Sequence, residues 1–224
     1  TIVGLTQVAD SVFRSDNKEL FTKTLSRKLL RSEVFNTEIK IVPGTANSSL
    51  VMFKESSDGS VWLSDPSGFE VLFGDSDSSY VLETPHVIIW KLIDPQPGVW
   101  KLNSRGVVGE ISIFEHSKSN YNLIFDPPDL ISVTEPPIFS AHLEYGNKPV
   151  PVESVRLVVG IKTPNGESSS YRMSDNGVGN DAVSGDGIYT VTVPPQTLAG
   201  EYRALLELTW LDLGHTITTV GGFE

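Results

Sequence analysis

Residues 174–190 read SDNGVGNDAVSGDGIYT, and the stretch runs without a break through Val191 and Thr192 to Val193. Glycine takes positive φ at little steric cost, and Asp and Asn tolerate left-handed backbone while bonding nearby amides, so the segment reads as consecutive tight turns. Asp186-Gly187, just ahead of Ile188-Tyr189-Thr190-Val191, marks entry into a strand. The stretch is therefore a loop that closes one strand and opens the next. Asp175, Asn180, Asp181 and Asp186 also carry the hard oxygen atoms that Ca²⁺ prefers. Their spacing is not that of an EF-hand, because Gly177 sits where the second ligand should be and no bidentate Glu closes the loop. Two readings stand side by side: turns held by Asx hydrogen bonds, and a Ca²⁺ site. Nothing nucleophilic or basic accompanies the carboxylates, so the loop is not expected to be catalytic.

Working outward, residues 138–145, 155–163, 169–174, 201–211 and 217–220 join 188–193 as strand-forming runs. Gly146-Asn147, Pro164-Asn165-Gly166 and Leu198-Ala199-Gly200 mark turns between them. The spacing is that of an immunoglobulin-like or fibronectin type III-like β-sandwich, expected over residues 127–224. Asp126-Pro127-Pro128-Asp129 and Glu135-Pro136-Pro137 are stiff and polar, and a domain boundary is expected there. Upstream, Phe35, Thr37, Ile39 and Ile41 alternate with polar residues, and short apolar runs recur at 50–53, 60–64, 69–73, 86–92, 99–102, 109–115 and 121–125. Strands at this spacing predict another sandwich over residues 33–126. Residues 16–32, DNKELFTKTLSRKLLRS, carry Leu20, Phe21, Leu25, Leu29 and Leu30 at near-helical spacing, with Asp16 and Glu19 as a cap. One N-terminal amphipathic helix is expected there. The fold class is thus mainly β, two immunoglobulin-like or fibronectin-like sandwich modules preceded by one helix.

Composition limits the partners. At 224 residues with net charge -11 and pI near 4.8, the chain lacks the clustered Lys and Arg that phosphate neutralisation needs, so no nucleic acid is expected. There is no cysteine, which excludes disulfides, thiolate metal sites and a cysteine nucleophile. No apolar run approaches the ~20 residues that span a bilayer, and Thr1-Ile2-Val3-Gly4 has no charged n-region, so neither membrane insertion nor a signal peptide is expected in this sequence.

Three signatures occur in order: Leu63-Ser64-Asp65-Pro66-Ser67-Gly68; Pro97-Gly98-Val99-Trp100-Lys101-Leu102; and Ser174 to Asp181, DNGVGND after the serine, with Gly185-Asp186-Gly187-Ile188-Tyr189. In this order they resemble the region after the von Willebrand factor A domain in the calcium-activated chloride channel regulator (CLCA) family and in bacterial A-domain surface proteins of similar layout. Leu5-Thr6-Gln7-Val8-Ala9, then Val12-Phe13-Arg14 and the amphipathic stretch that follows resemble the LxxVA helix, the short strand and the last amphipathic helix of such an A domain, which places its end in residues 1–32. The resemblance implies an extracellular or cell-surface, multidomain setting with a role in cell adhesion or assembly and a protein partner. It carries no activity here, because the sequence has neither an Asp-x-Ser-x-Ser adhesion motif nor an HExxH helix.

Other chemistry is sparse. His86, His116, His142 and His215 are far apart in sequence, and no G-x-S-x-G elbow or P-loop occurs. Trp62, Trp90, Trp100 and Trp210 fall in alternating strands, where core burial is expected ahead of sugar stacking. The expectation is a non-catalytic structural or interaction region; a Ca²⁺-ordered module binding carbohydrate or protein is the alternative.

Overall fold

The computed structural model describes residues 22–30, 33–71, 74–75, 78–128 and 134–223. All regular structure among these residues is β, and the chain divides into two compact units between Asn120 and Tyr121.

The first unit holds β1 (Thr22–Leu29), β2 (Val34–Ile41), β3 (Thr45–Lys54), β4 (Ser60–Ser64), β5 (Gly74–Asp75), β6 (Ser79–Glu83), β7 (Val87–Ile93), β8 (Gly98–Arg105) and β9 (Gly109–Ser119). One sheet has the order β1-β9-β3-β7-β6-β5 and the other β2-β8-β4. Side chains on one face of each strand repeat every second residue. Leu50 and Met52, Ile88 and Trp90, and Ile111 and Ile113 of the larger sheet thus join Ile39, Leu63 and Leu102 of the smaller one in a single buried cluster. Burying one such side chain contributes about 2 kcal/mol, and a one-residue slip would turn a whole strand inside out, so register is strongly fixed.

From β1 to β4 and again from β7 to β9 the chain alternates between the two sheets. This is the connectivity of a jelly roll. It corrects the expectation of an immunoglobulin-like first module, in which the last two strands pair with each other. Here β8 and β9 lie in different sheets. Alternation and turn spacing are alike in both architectures, so the choice of partner strand is what separates them.

The expected helix is corrected where it is described. Thr22–Leu29 is a strand, paired with β9 from Thr22↔Glu115 to Leu29↔Gly109. Leu25 and Leu29, four residues apart, share a face in a helix and in a strand alike. The ladder offered by β9 decides, and Leu29 enters the core with Leu25 packed against it. Residues 16–21 and 31–32 of that helix, and the A-domain strand expected before it, lie outside the described residues. Two of the quoted signatures meet in space: the turn at Asp65, closed by Phe69 N–H donating to Asp65 Oδ1 at 2.8 Å, packs its Pro66 where a Cβ on Gly98 would come within 2.9 Å. Trp100, buried in the core, donates its ring N–H to Gln96 O at 2.9 Å.

The second unit holds β10 (Asn122–Asp126), β11 (Ile138–Glu144), β12 (Val155–Lys162), β13 (Ser168–Arg172), β14 (Ile188–Thr192), β15 (Tyr202–Trp210) and β16 (His215–Phe223). A three-stranded sheet, β10-β11-β14, and a four-stranded sheet, β13-β12-β15-β16, share them. Lettered A to G in chain order, these are an ABE sheet and one in which the fourth strand edges C beside F and G. Strand β10 pairs with β11 from Asn122↔Glu144 to Asp126↔Ser140. Residues 121–126, expected at the end of the first module, are therefore the first strand of the second, and the Pro127-Pro128 pair follows that strand. Phe139, Ala141 and Leu143 of β11 and Leu157, Val159 and Ile161 of β12 are buried at every second position, as are Tyr202, Ala204, Leu206, Leu208 and Trp210 of β15.

Candidate functional site

The aspartate loop leaves β13 and returns as β14. Its two ends are tied by reciprocal bonds, Ser174 N–H to Thr190 O at 3.0 Å and Thr190 N–H to Ser174 O at 2.9 Å. Between them the carboxylates act as struts. Asp175 accepts from Gly185 N–H at 2.6 Å through Oδ1 and from Gly187 N–H at 2.9 Å through Oδ2. Asp181 Oδ2 accepts from Gly177 N–H at 2.6 Å and also from Asn176 N–H, and Asp186 Oδ1 accepts from Ile188 N–H at 2.9 Å. Asp181 is only 4 % exposed, so its charge is held by these oriented amide dipoles. Gly187 has φ +86°, and a Cβ there would lie 2.7 Å from Val150 C, so only glycine lets the loop approach the 150–151 backbone.

The structure gathers three of the four residues singled out from sequence. Asp175, Asp181 and Asp186 each place a carboxylate oxygen within 4.8 Å of the others. The side-chain amide of Asn180 is turned to another task, donating to Thr192 Oγ1 at 2.7 Å. Three carboxylates at this separation form a hard-oxygen donor set, the chemistry of Ca²⁺ rather than of a softer metal. The same five amide bonds also account for the carboxylates as purely structural groups. Beside them, burial first and the charge of Asp175 second push the Tyr189 hydroxyl above its ordinary pKa, and that hydroxyl donates to Val152 O at 3.3 Å. Tyr189 thus clamps the loop to the 150–154 segment, a role that its alternating position in a strand did not reveal.

The histidines do not converge with this cluster. His86 precedes β7 and His116 lies on β9 of the first unit, while His142 and His215 sit on opposite sheets of the second. Trp90, Trp100 and Trp210 are buried, and Trp62 is half-buried.

Fold and loop define the second unit as an immunoglobulin-like β-sandwich. Tyr202, at the start of β15 and 1 % exposed, donates its hydroxyl to Leu198 O at 2.8 Å, the tyrosine corner of that architecture. Residues 137–209 match the family model described as the second Ig-like domain of conditioned medium factor. That match does not bring in the chloride channel regulator family or an A domain. No curated protein matches the chain. Among solved structures, the Bacillus licheniformis lipase BlEst2 in propeptide form is similar at 13 % identity and TM-score 0.35, covering 88 % of this chain and 40 % of that one. The Parabacteroides merdae β-glucuronidase is similar at 9 % identity and TM-score 0.31, covering 85 % and 28 %. The chain thus spans well under half the length of either.

Proposed function

We propose that this chain is a non-catalytic structural and interaction region, two β-sandwiches acting as stalk or scaffold for adhesion or assembly in an extracellular or surface protein. The observation that carries the reading is how the acidic loop uses its carboxylates: they accept from backbone amides and hold the loop in place as struts. The immunoglobulin-like match supports an interaction module, and a family named for a factor of conditioned medium supports a setting outside the cell. The layout seen after the A domain of chloride channel regulators remains the finer reading; its support is the order of the three signatures and the contact of Pro66 with Gly98. In that reading only residues 1–21 are left for the end of an A domain. The test is turnover by the purified chain on panels of ester, glycoside and peptide substrates. No turnover is expected; hydrolysis abolished by a single serine, histidine or carboxylate substitution would defeat the proposal.

A second reading is favoured by the approach of Asp175, Asp181 and Asp186 within 4.8 Å: a Ca²⁺ ion orders the loop and so the edge of a ligand-binding module. Binding to the native state alone raises stability by about 2.7 kcal/mol at a hundredfold excess over Kd. A melting temperature raised by Ca²⁺ and lowered by EDTA supports this reading, and an unchanged one removes it.

A further inference from the structure

We propose that the outer face of the β13-β12-β15-β16 sheet is the partner-binding surface, and that its occupant is an acidic protein segment presenting an aliphatic side chain; this rests on the interaction reading above. Charge is the first observation. From Tyr121 to Glu224 the chain carries thirteen Asp and Glu against five Lys and Arg, yet four of those five cations stand on this face. Arg156 and Lys162 of β12 and Arg203 of β15 are exposed and alternate with the buried Leu157, Ile161, Tyr202 and Ala204. Arg172 of β13 is exposed and pairs with outward-facing Val158. Lys162 lies directly opposite Arg203 in the ladder. Like charges so placed destabilise a sheet, and among the described residues neither finds an ion-pair partner. Glu207 on the same face and Glu201 just ahead of β15 are the nearby acids, and neither bonds to this pair.

Shape is the second. Gly160 occupies the middle of β12, between Ser170 and Leu205. Its backbone does not require glycine: φ is not positive, and a Cβ would meet nothing nearer than Leu205 O at 3.7 Å. A glycine that weakens a strand without a packing reason marks a place where something else approaches closely. Its missing side chain opens a groove of about 470 Å³ floored by Val158, Leu205 and Val220, the last two 38 % and 71 % exposed. A polar depression of about 490 Å³ at the β12–β13 turn shares Lys162 and Arg203, so the two cations stand between an apolar and a polar recess. The floor is aliphatic, with no aromatic ring lining it among the described residues, and suits an aliphatic side chain rather than the face of a sugar. An Asp or Glu beside that side chain would then neutralise the Lys162 and Arg203 pair.

The test titrates the full chain, labelled with ¹⁵N, with an octapeptide alternating Glu and Leu, its Gln-for-Glu counterpart and an oligouronate. The Glu peptide is expected to move the amide resonances of Gly160, Lys162, Arg203 and Leu205, with affinity falling about tenfold or more at high salt, while the Gln peptide does not. Arg203→Glu should abolish the effect while raising the melting temperature, because the like-charge pair becomes an opposite one; loss of binding is then not loss of fold. Gly160→Val should abolish it by filling the groove with all four cations retained. Equal binding of the Gln peptide, silence of these resonances at millimolar Glu peptide, or binding of the oligouronate in its place would overturn the proposal. Turnover on the substrate panels would defeat the scaffold reading without moving these resonances.

Discussion

Gly187 shows how one atom decides a loop. A methyl group there would need left-handed backbone, unfavourable by roughly 1–2 kcal/mol for an L-residue, and would also press on Val150 and Pro151. Gly187→Ala is therefore expected to destabilise the second unit by about 2 kcal/mol or more, read as a shift in the denaturation midpoint. Glu115 makes the opposite point in the first unit. It is partly buried at the end of the β9 inner face, and burial pushes its carboxyl above the ordinary range, while the Ser117 hydroxyl at 3.2 Å draws it back in part. A raised acid keeps its proton longer folded than unfolded, so its stabilising contribution is complete below the unfolded pKa and is lost as pH rises through the folded one. Glu115→Gln should flatten the decline of melting temperature between the ordinary carboxylate range and neutrality; an unchanged slope would sink this account.

At the scale of elements, the aspartate loop is a long connection held by side chains in place of a ladder. Removing the Asp181 carboxylate leaves the amides of Asn176 and Gly177 without their acceptor. Asp181→Ala is expected to cost about 1–3 kcal/mol in chemical denaturation, with the loss confined to the second unit. The same variant abolishes any rise in melting temperature on adding Ca²⁺ if the ion occupies this cluster. The turn chemistry of the loop was plain from its glycines and Asx residues, since those conformations belong to the residues themselves. Which carboxylate bonds which amide was not, because Asp175 reaches ten and twelve residues ahead. Strand β1 repeats the lesson: Leu25 and Leu29 suit either period, and only the partner strand β9 settles the matter. Lys162 and Arg203 are 41 positions apart in the sequence, and only the register of β12 with β15 sets them side by side.

At the scale of the whole chain, two units each carry their own alternating core. Residues 121–224 expressed alone are expected to melt in one cooperative transition and to keep the Gly187 and Asp181 sensitivities. A broad, non-cooperative melt would show that the unit depends on residues before Tyr121. The boundary belongs before β10 and not at the prolines that follow it, because hydrogen bonding to β11 outweighs the local stiffness of Pro127-Pro128.

By its sequence alone this protein is committed to β structure and to buried alternate side chains, because residue type and a period of two act locally. Most of its strands and the turns that join them are written there too, with β1 and β6 as exceptions. The tertiary structure alone decides that the first unit is a jelly roll, that Thr22–Leu29 is a strand, that three aspartates meet and that four cations share a face. The first, second and last of these depend on pairing between strands distant along the chain, and the meeting of the aspartates depends on how the loop folds back on its own amides.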